Sequence, residues 1–495
     1  MSPSERALGA SLTFRTFPAW RAVQALGACS DMVATAFGPF ARKVMSLSAL
    51  TALGQASFVI ALPVLSRLYT PSDFGLFTIY LSIVNIGGPI VGLKFESALY
   101  AARTKQEAGI TLALSILTIT IMSGVAAVAL FIFSRQLMGT LNPGAQWVAW
   151  YLPFGLLLAG MWSASSAWAV KSEAISTLGI ARLVQPAAMT GMQLVAGLTV
   201  PASGVILIGA HLISHAAYST FIFSRTITWS DLSMLVANRW TVVLRHAKAQ
   251  SRFPLYVLPA QISFLAVSNL PPLLLSLFYG AEIAGYCGVA YRLVAAPLAV
   301  ASLPLGAIFT SVISRLPHGT VVVPLARRVF LASLFFVAVP ILLFGAAAPA
   351  FAPAVLGDRW LNTGQIIAAF ALIGAAQSLA VPFMEVTSIF RSQALRFVIE
   401  FIPAVLVIGS ILVGGLYGWL PLKTIWLMSV AGAGSSLVGL FVLWGRLPAM
   451  VEAAIRYRAA EEALREPLER RRRPLAMWMA GLRRRRRGMQ SLRPK

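Results

Sequence analysis

Two arginines stand inside apolar runs of this 495-residue chain, Arg182 and Arg292. A guanidinium presents five N–H donors in a planar fork that fits phosphate or carboxylate oxygens. Each lies about eight residues, or about 12 Å, into its predicted helix. A charge at that depth costs several kcal/mol against lipid, so each is expected to face a cavity or a partner. Acidic partners are scarce: Glu96, Glu385 and Glu400 all fall at or near helix ends. An excess of buried positive charge suits an anionic cargo, and a diphosphate could be held by bidentate contacts. The alternative is that both arginines snorkel or bond to backbone carbonyls.

Other polar groups interrupt the apolar helices. Gln55, Gln185, Gln261 and Asn269 are candidates to line a cavity and bond sugar hydroxyls. Tying helices together is the commoner role for such residues. Lys94 and Glu96 close a predicted helix and are candidates for a cytoplasmic mouth, with solvated helix-end charges as the plainer reading. His211 and His215 share a helix face at i, i+4. No carboxylate or cysteine joins them, so packing and interhelical bonds are expected rather than a metal site. No catalytic residue, metal or cofactor is indicated, and no P-loop segment is present.

The elements that must position these groups are membrane spans. The chain is 58% hydrophobic and 11% charged, with a mean hydropathy of +0.79. Soluble domains carry about 25% charged residues. Apolar runs near 20 residues recur from Leu47 to Trp444, each long enough for a hydrocarbon core of roughly 30 Å. The expected fold is all-α and polytopic, with twelve transmembrane helices at about 46–66, 74–93, 108–133, 147–169, 175–199, 203–223, 254–279, 284–312, 329–351, 362–384, 395–417 and 424–444. The gaps after even-numbered helices hold fourteen Lys and Arg; those after odd-numbered helices hold Arg67, Arg135, Arg359 and Lys423. That bias places both termini in the cytoplasm, and Arg42 and Lys43 agree. The first forty residues lack a signal-peptide pattern. Cys29 and Cys287 are predicted at opposite faces, which argues against a disulfide.

The longest internal gap carries Trp229, Leu232, Trp240, Arg239 and Arg245, the pattern of an interfacial amphipathic helix. It divides the chain into an extension (1–41), a first lobe (42–224), a loop (225–253), a second lobe (254–446) and a tail (447–495). The net charge of +24 lies largely in that tail, where basic clusters flank Met477, Trp478 and Met479. Attraction to anionic headgroups follows, rather than nucleic-acid binding. The lobes carry a weak repeat. Gln55, Ser57, Phe58, Pro63, Tyr69 and Gly75 parallel Gln261, Ser263, Phe264, Pro271, Tyr279 and Gly285, at an offset drifting from 206 to 210. Both opening helices run the same way, so the repeats are parallel, an arrangement that puts a substrate path at their interface. Proline in each opening helix suits a bend.

The stretch Leu65-Ser-Arg-Leu-Tyr-Thr-Pro-Ser-Asp-Phe-Gly-Leu-Phe77 resembles the first outer loop of Wzx-type polysaccharide-export flippases. These belong to the multidrug/oligosaccharidyl-lipid/polysaccharide exporter superfamily. Phe278 to Tyr286, continuing through Tyr291 to Pro297, resembles the corresponding second-half pattern. The resemblance implies two six-helix lobes around a central cavity, as in MATE and other MOP transporters. It also implies a cargo of undecaprenyl-diphosphate-linked oligosaccharide, flipped across the bacterial inner membrane for export of an O-antigen, capsule or exopolysaccharide. A polysaccharide polymerase and a chain-length regulator would be partners. The N-terminal extension and the Arg-rich tail fall outside the family pattern.

Two other functions fit the sequence less well. A drug/cation antiporter needs membrane-buried carboxylates, and the first six helices offer only Glu96. A polymerase or ligase of lipid-linked sugars needs outer loops with acid/base groups. Asp73, Glu282 and Asp358 are the only acids in the predicted outer loops, which are short. An enzyme is not expected.

Overall fold

The computed structural model describes residues 47, 49–141, 146–228, 240–302, 305–306, 309–310, 313, 322–389, 393–453 and 456. The N-terminal extension with Cys29, Arg42 and Lys43, the loop from Trp229 to Arg239, Arg315, Arg391 and the tail beyond Arg456 lie outside the described residues. So do the side chains of Ser263 and Phe264.

The described chain is helical, with no strand. In order come α1 (Ala49–Leu68), α2 (Pro71–Gly92), α3 (Lys105–Leu141), α4 (Val148–Lys171), α5 (Ile175–Thr199) and α6 (Gly204–Thr226). The short α7 (Trp240–Ala249) follows, then α8 (Leu258–Pro297). Next are α9, which runs from Val322 to Leu356 through a π-helical turn at Leu334–Ala338, α10 (Leu361–Ile389), α11 (Gln393–Leu416) and α12 (Pro421–Ala453). Among the described residues, ten stretches are long and apolar enough to cross a membrane. The expected count of twelve differs from this in two places. Helix α5 is 25 residues long but is diluted by Arg182, Gln185 and Gln193, and is not among the ten. The seventh and eighth expected spans are continuous as α8, broken only at Gly280, where φ is 84° and ψ is 172°. That conformation is essentially restricted to glycine. It turns the chain at one rim of the bundle.

The family-like motif has a physical reason at that rim. Thr70 and Asp73 form a capping box: the Asp73 amide donates to Thr70 Oγ1 (3.2 Å), and the Thr70 amide donates to Asp73 Oδ2 (3.0 Å). Pro71 occupies the first turn of α2, where no N–H is needed. The Gly204 amide donates to Asp73 Oδ1 at 2.7 Å, so one carboxylate caps α2 and α6 together. The following Phe74 is buried edge-on against Trp360.

The repeat closes on itself here. A Cβ at Gly75 would stand 1.8 Å from the Ala281 carbonyl oxygen, and one at Gly285 would stand 1.9 Å from the Pro71 carbonyl oxygen. Pro71 and Ala281, like Gly75 and Gly285, are 210 residues apart. One turn on, Thr78 meets Gly288, again 210 residues apart. Helix α2 and the second limb of α8 therefore pack as a parallel, pseudo-twofold pair with small residues at the contact. Taken over both limbs of α8, its packing on α2 is the most extensive helix–helix contact among the described residues. Trp360, fully buried, donates from Nε1 to the Ser66 carbonyl oxygen (2.8 Å). Arg67 reaches the Ala354 carbonyl oxygen (3.3 Å). The two halves are locked together at this Asp73 rim.

At the opposite rim, α7 buries Val243 against Phe95 and Leu114 and sets His246 Nε2 2.8 Å from Thr111 Oγ1. Arg245 and Lys248 point outward. The described part of the long loop thus has the two faces that its sequence pattern implied.

Candidate functional site

Both arginines lie within the bundle, at different depths. Arg182 is seven residues into α5 from the Lys94 rim, or about 10 Å. The α5 backbone is pinned there, because a Cβ on Gly54 of α1 would come 2.6 Å from the Arg182 carbonyl oxygen. The Arg182 guanidinium lies 5.7 Å from the Trp162 ring centroid and faces the Tyr218 hydroxyl. Its Nε is buried without a hydrogen-bond partner. Arg292 follows the Gly280 break by about 18 Å, deeper than expected, because the limb begins at Ala281 rather than Ala284. Its guanidinium crosses into the first half, 4.8 Å from the Phe58 centroid and 5.0 Å from that of Phe77. Aromatic faces attract a cation but satisfy none of its N–H donors. Among the described residues neither arginine forms an ion pair.

A chain of rings and amides joins the two charges. Phe77 and Tyr80 both pack edge-on to His211, and the Tyr80 hydroxyl is 3.2 Å from His211 Nδ1. The rings of His211 and His215 have centroids 3.9 Å apart. Gln185 Nε2 lies 3.2 Å from Ser214 Oγ and 3.4 Å from His215 Nδ1. Trp162 stacks on Tyr218, which shares a 2.8 Å hydrogen bond with Ser166. Elements α1, α2, α4, α5, α6 and α8 all contribute.

The remaining candidates separate. Gln185 ties α5 to α6, the structural role that its type favours. Asn269 accepts from Asn85 Nδ2 at 3.0 Å and so bridges α8 to α2. Gln55 is exposed on α1 and Gln261 is half-buried on α8; no described contact brings either into the network. Lys94 and Glu96 depart from the solvated reading. Leu93 and Lys94 adopt left-handed backbone (φ 46° and 58°), which folds the chain inward after α2. Glu96 is only 3% exposed. Its Oε1 lies 3.4 Å from Lys94 Nζ and accepts from Ser163 (3.0 Å). Its Oε2 is buried without a partner. The sequence reading missed Phe58, Phe77, Tyr80 and Trp162. The repeat and the family-like stretch did contain Phe58 and Phe77; nothing singled out the other two. An apolar cavity of about 160 Å³ beside Cys287, Tyr291 and Gln377 does not include either arginine.

A sequence profile described as "Polysaccharide biosynthesis protein" matches residues 64–365. No curated protein matches the chain. Among solved structures, the chain is similar to the lipid II flippase MurJ in an inward closed conformation, with TM-score 0.63 and 11% identity, over 84% of this chain and 92% of that one. It is also similar to an inward-facing multidrug resistance MATE transporter of the MOP superfamily, with TM-score 0.57 and 13% identity, over 82% and 96%. A MOP superfamily transporter from Pyrococcus furiosus matches with TM-score 0.51 and 14% identity, over 84% and 98%. The likeness at such identities is one of fold, and with the ten apolar stretches it makes this chain a multi-pass membrane protein. The chain belongs to the polysaccharide biosynthesis protein family and is built on the MOP transporter fold.

Proposed function

We propose that this protein flips a lipid-linked oligosaccharide, with the diphosphate of an undecaprenyl carrier as the recognised anion, for export of a surface polysaccharide. The observation that carries the reading is the pair of interior arginines without acidic partners among the described residues. Two six-helix lobes, 42–224 and 254–446, rock about the path between them. The basic gaps put the Lys94 rim and both termini in the cytoplasm, so the locked Asp73 rim faces outward and the membrane is the bacterial inner membrane.

With helix ends taken as level, the Arg182 and Arg292 backbones are roughly 5–9 Å apart along the bundle axis. Arg182 lies nearer the inner mouth and Arg292 near mid-depth, so the cargo meets them in that order while the lipid tail stays in the bilayer. No bond of the cargo is broken. Part of the oligosaccharide's binding energy must be spent opening the Asp73 rim, which fits a transporter that moves only when loaded.

The burial of Glu96 favours a second reading, a drug/cation antiporter. A carboxylate with one unpartnered buried oxygen could carry an exchanged cation. Its contact with Lys94 already supplies a positive charge, which makes this the weaker reading. Reconstituted in proteoliposomes, an Arg182→Ala/Arg292→Ala double variant should flip undecaprenyl-diphosphate oligosaccharide at least about 100-fold more slowly, since a hydrogen bond to a charged group contributes about 1.5–3 kcal/mol. Normal flipping by a folded double variant would sink the flippase assignment of these residues. Arginine-independent uptake of an organic cation would favour the antiporter.

A further inference from the structure

The paired histidines of α6 are the feature that the cargo reading leaves unused. His215 Nδ1 lies 3.0 Å from the His211 carbonyl oxygen. A carbonyl only accepts, so this nitrogen carries the hydrogen, the 3.4 Å approach of the Gln185 amide nitrogen is packing rather than a hydrogen bond, and Nε2 of His215 is the basic one. Nδ1 of His211 is engaged by the Tyr80 hydroxyl. With ring centroids 3.9 Å apart, the two imidazoles cannot both carry charge without strong repulsion. The pair can hold one extra proton.

Its surroundings decide when. Phe77 and Tyr80 face it from α2, Trp162 from α4, Gln185 from α5 and Arg292 from α8, while Tyr218, on the next turn of α6, stacks on Trp162. Arg182 stands behind Trp162. None of these groups is anionic, and no group of three or more His, Cys, Asp or Glu gathers there among the described residues. A proton on the pair therefore has no counter-charge until an anion arrives. His211 is 5% exposed, whereas His215 is half-buried and is the ring that solvent in the path can reach.

We propose that His211 and His215 form the proton site of transport, taking up one proton as the phosphate of the cargo settles beside Arg292 and releasing it when the phosphate leaves. This inference rests on the anionic-cargo reading above. The step is a single proton transfer: an O–H bond of a hydronium ion in the aqueous path breaks, an N–H bond forms at His215 Nε2, and a neutral water is left. Linkage makes it reciprocal: the proton strengthens anion binding by the same factor as the anion strengthens proton binding. One linked proton changes affinity by at most about tenfold per pH unit.

The test is binding of a polyprenyl diphosphate carrying one sugar to the full chain in nanodiscs, from about pH 5.5 to pH 8. Such a diphosphate diester lacks the second ionisation near pH 6 of a phosphate monoester, so the pH dependence belongs to the protein. The wild-type affinity should rise towards low pH, approaching tenfold per unit. Calorimetry in two buffers of different ionisation heat should show net proton uptake; this second measurement needs no variant. His211→Gln/His215→Gln should bind without that slope and without proton uptake. A flat wild-type profile, or a slope that survives in the double variant, overturns the proton site and leaves the cargo reading standing. Absence of binding at every pH overturns the cargo reading and this inference with it.

Discussion

Gly75→Ala adds one methyl group where the two halves meet. Its Cβ would lie 1.8 Å from the Ala281 carbonyl oxygen. A close carbon–oxygen contact is about 3.3 Å, so α2 and α8 must part by roughly 1.5 Å. The obstructing atoms are backbone, and no side chain can swing aside. Overpacking of this kind costs about 1–3 kcal/mol. The helix propensity of alanine, about 1 kcal/mol better than glycine, works in the opposite sense. It applies wherever α2 remains helical, whether the rim is open or closed, and so cancels from the equilibrium between the two states. The net shift is roughly 5- to 150-fold towards an open Asp73 rim.

A cysteine at Ser66, a residue 1% exposed whose carbonyl is bound by Trp360, reports the change. In a Cys29→Ser/Cys287→Ser background, a membrane-impermeant maleimide applied outside should label Ser66→Cys faster by that factor when Gly75→Ala is present. Gly285→Ala, aimed at the Pro71 carbonyl oxygen across the pseudo-twofold contact, should do the same. Gly124→Ala, with nothing within 4 Å, should leave labelling unchanged. Unaltered labelling in both seam variants would refute the claim that this contact closes the rim. A response from only one of them would refute its symmetry.

Two further outcomes follow from the polar contacts. Asp73→Ala removes the caps of α2 and α6 at once, at about 0.5–2 kcal/mol each, and should lower the thermal midpoint in detergent well below that of Ser172→Ala, which loses hydrogen bonds at a single loop. Lys94→Gln strands the buried Glu96 charge and should destabilise by about 3–5 kcal/mol; adding Glu96→Gln should restore most of that loss, whereas additive losses in a thermal-shift cycle would show that the two do not act as a pair.

The spans were legible because a run near 20 apolar residues has few other uses in a chain this poor in charge. Helix α5 was recognised despite Arg182, Gln185 and Gln193, the residues that leave it outside the ten strongly apolar stretches. The repeat was visible as a spacing, but its meaning was not. That Gly75 and Gly285 each admit a carbonyl from the other half is a contact across 210 residues, and no local pattern encodes it. Glu96 was misjudged for a related reason. A carboxylate at a helix end is ordinarily solvated, and the left-handed pair Leu93–Lys94 that turns it inward contains no glycine or asparagine to announce it.

The arginines show how far charge alone can lead. The depth of Arg182 followed from helix length, that of Arg292 was underestimated because the break falls at Gly280, and their scarcity of acidic partners followed from composition. Their convergence did not, because Arg292 reaches across the seam to rings of the first half. That crossing matters for mechanism. The α2–α8 contact that locks the Asp73 rim lies on the same two helices that carry Phe77 and Arg292, and the Gly288–Thr78 contact pairs the residue next to Phe77 with one a turn before Arg292. Parting the rim must therefore change the grip of Phe58 and Phe77 on the guanidinium. An anion that competes with those rings for Arg292 loosens one of the contacts across the seam. Cargo binding and rim opening would thus share a single side chain, and no separate relay between them is required.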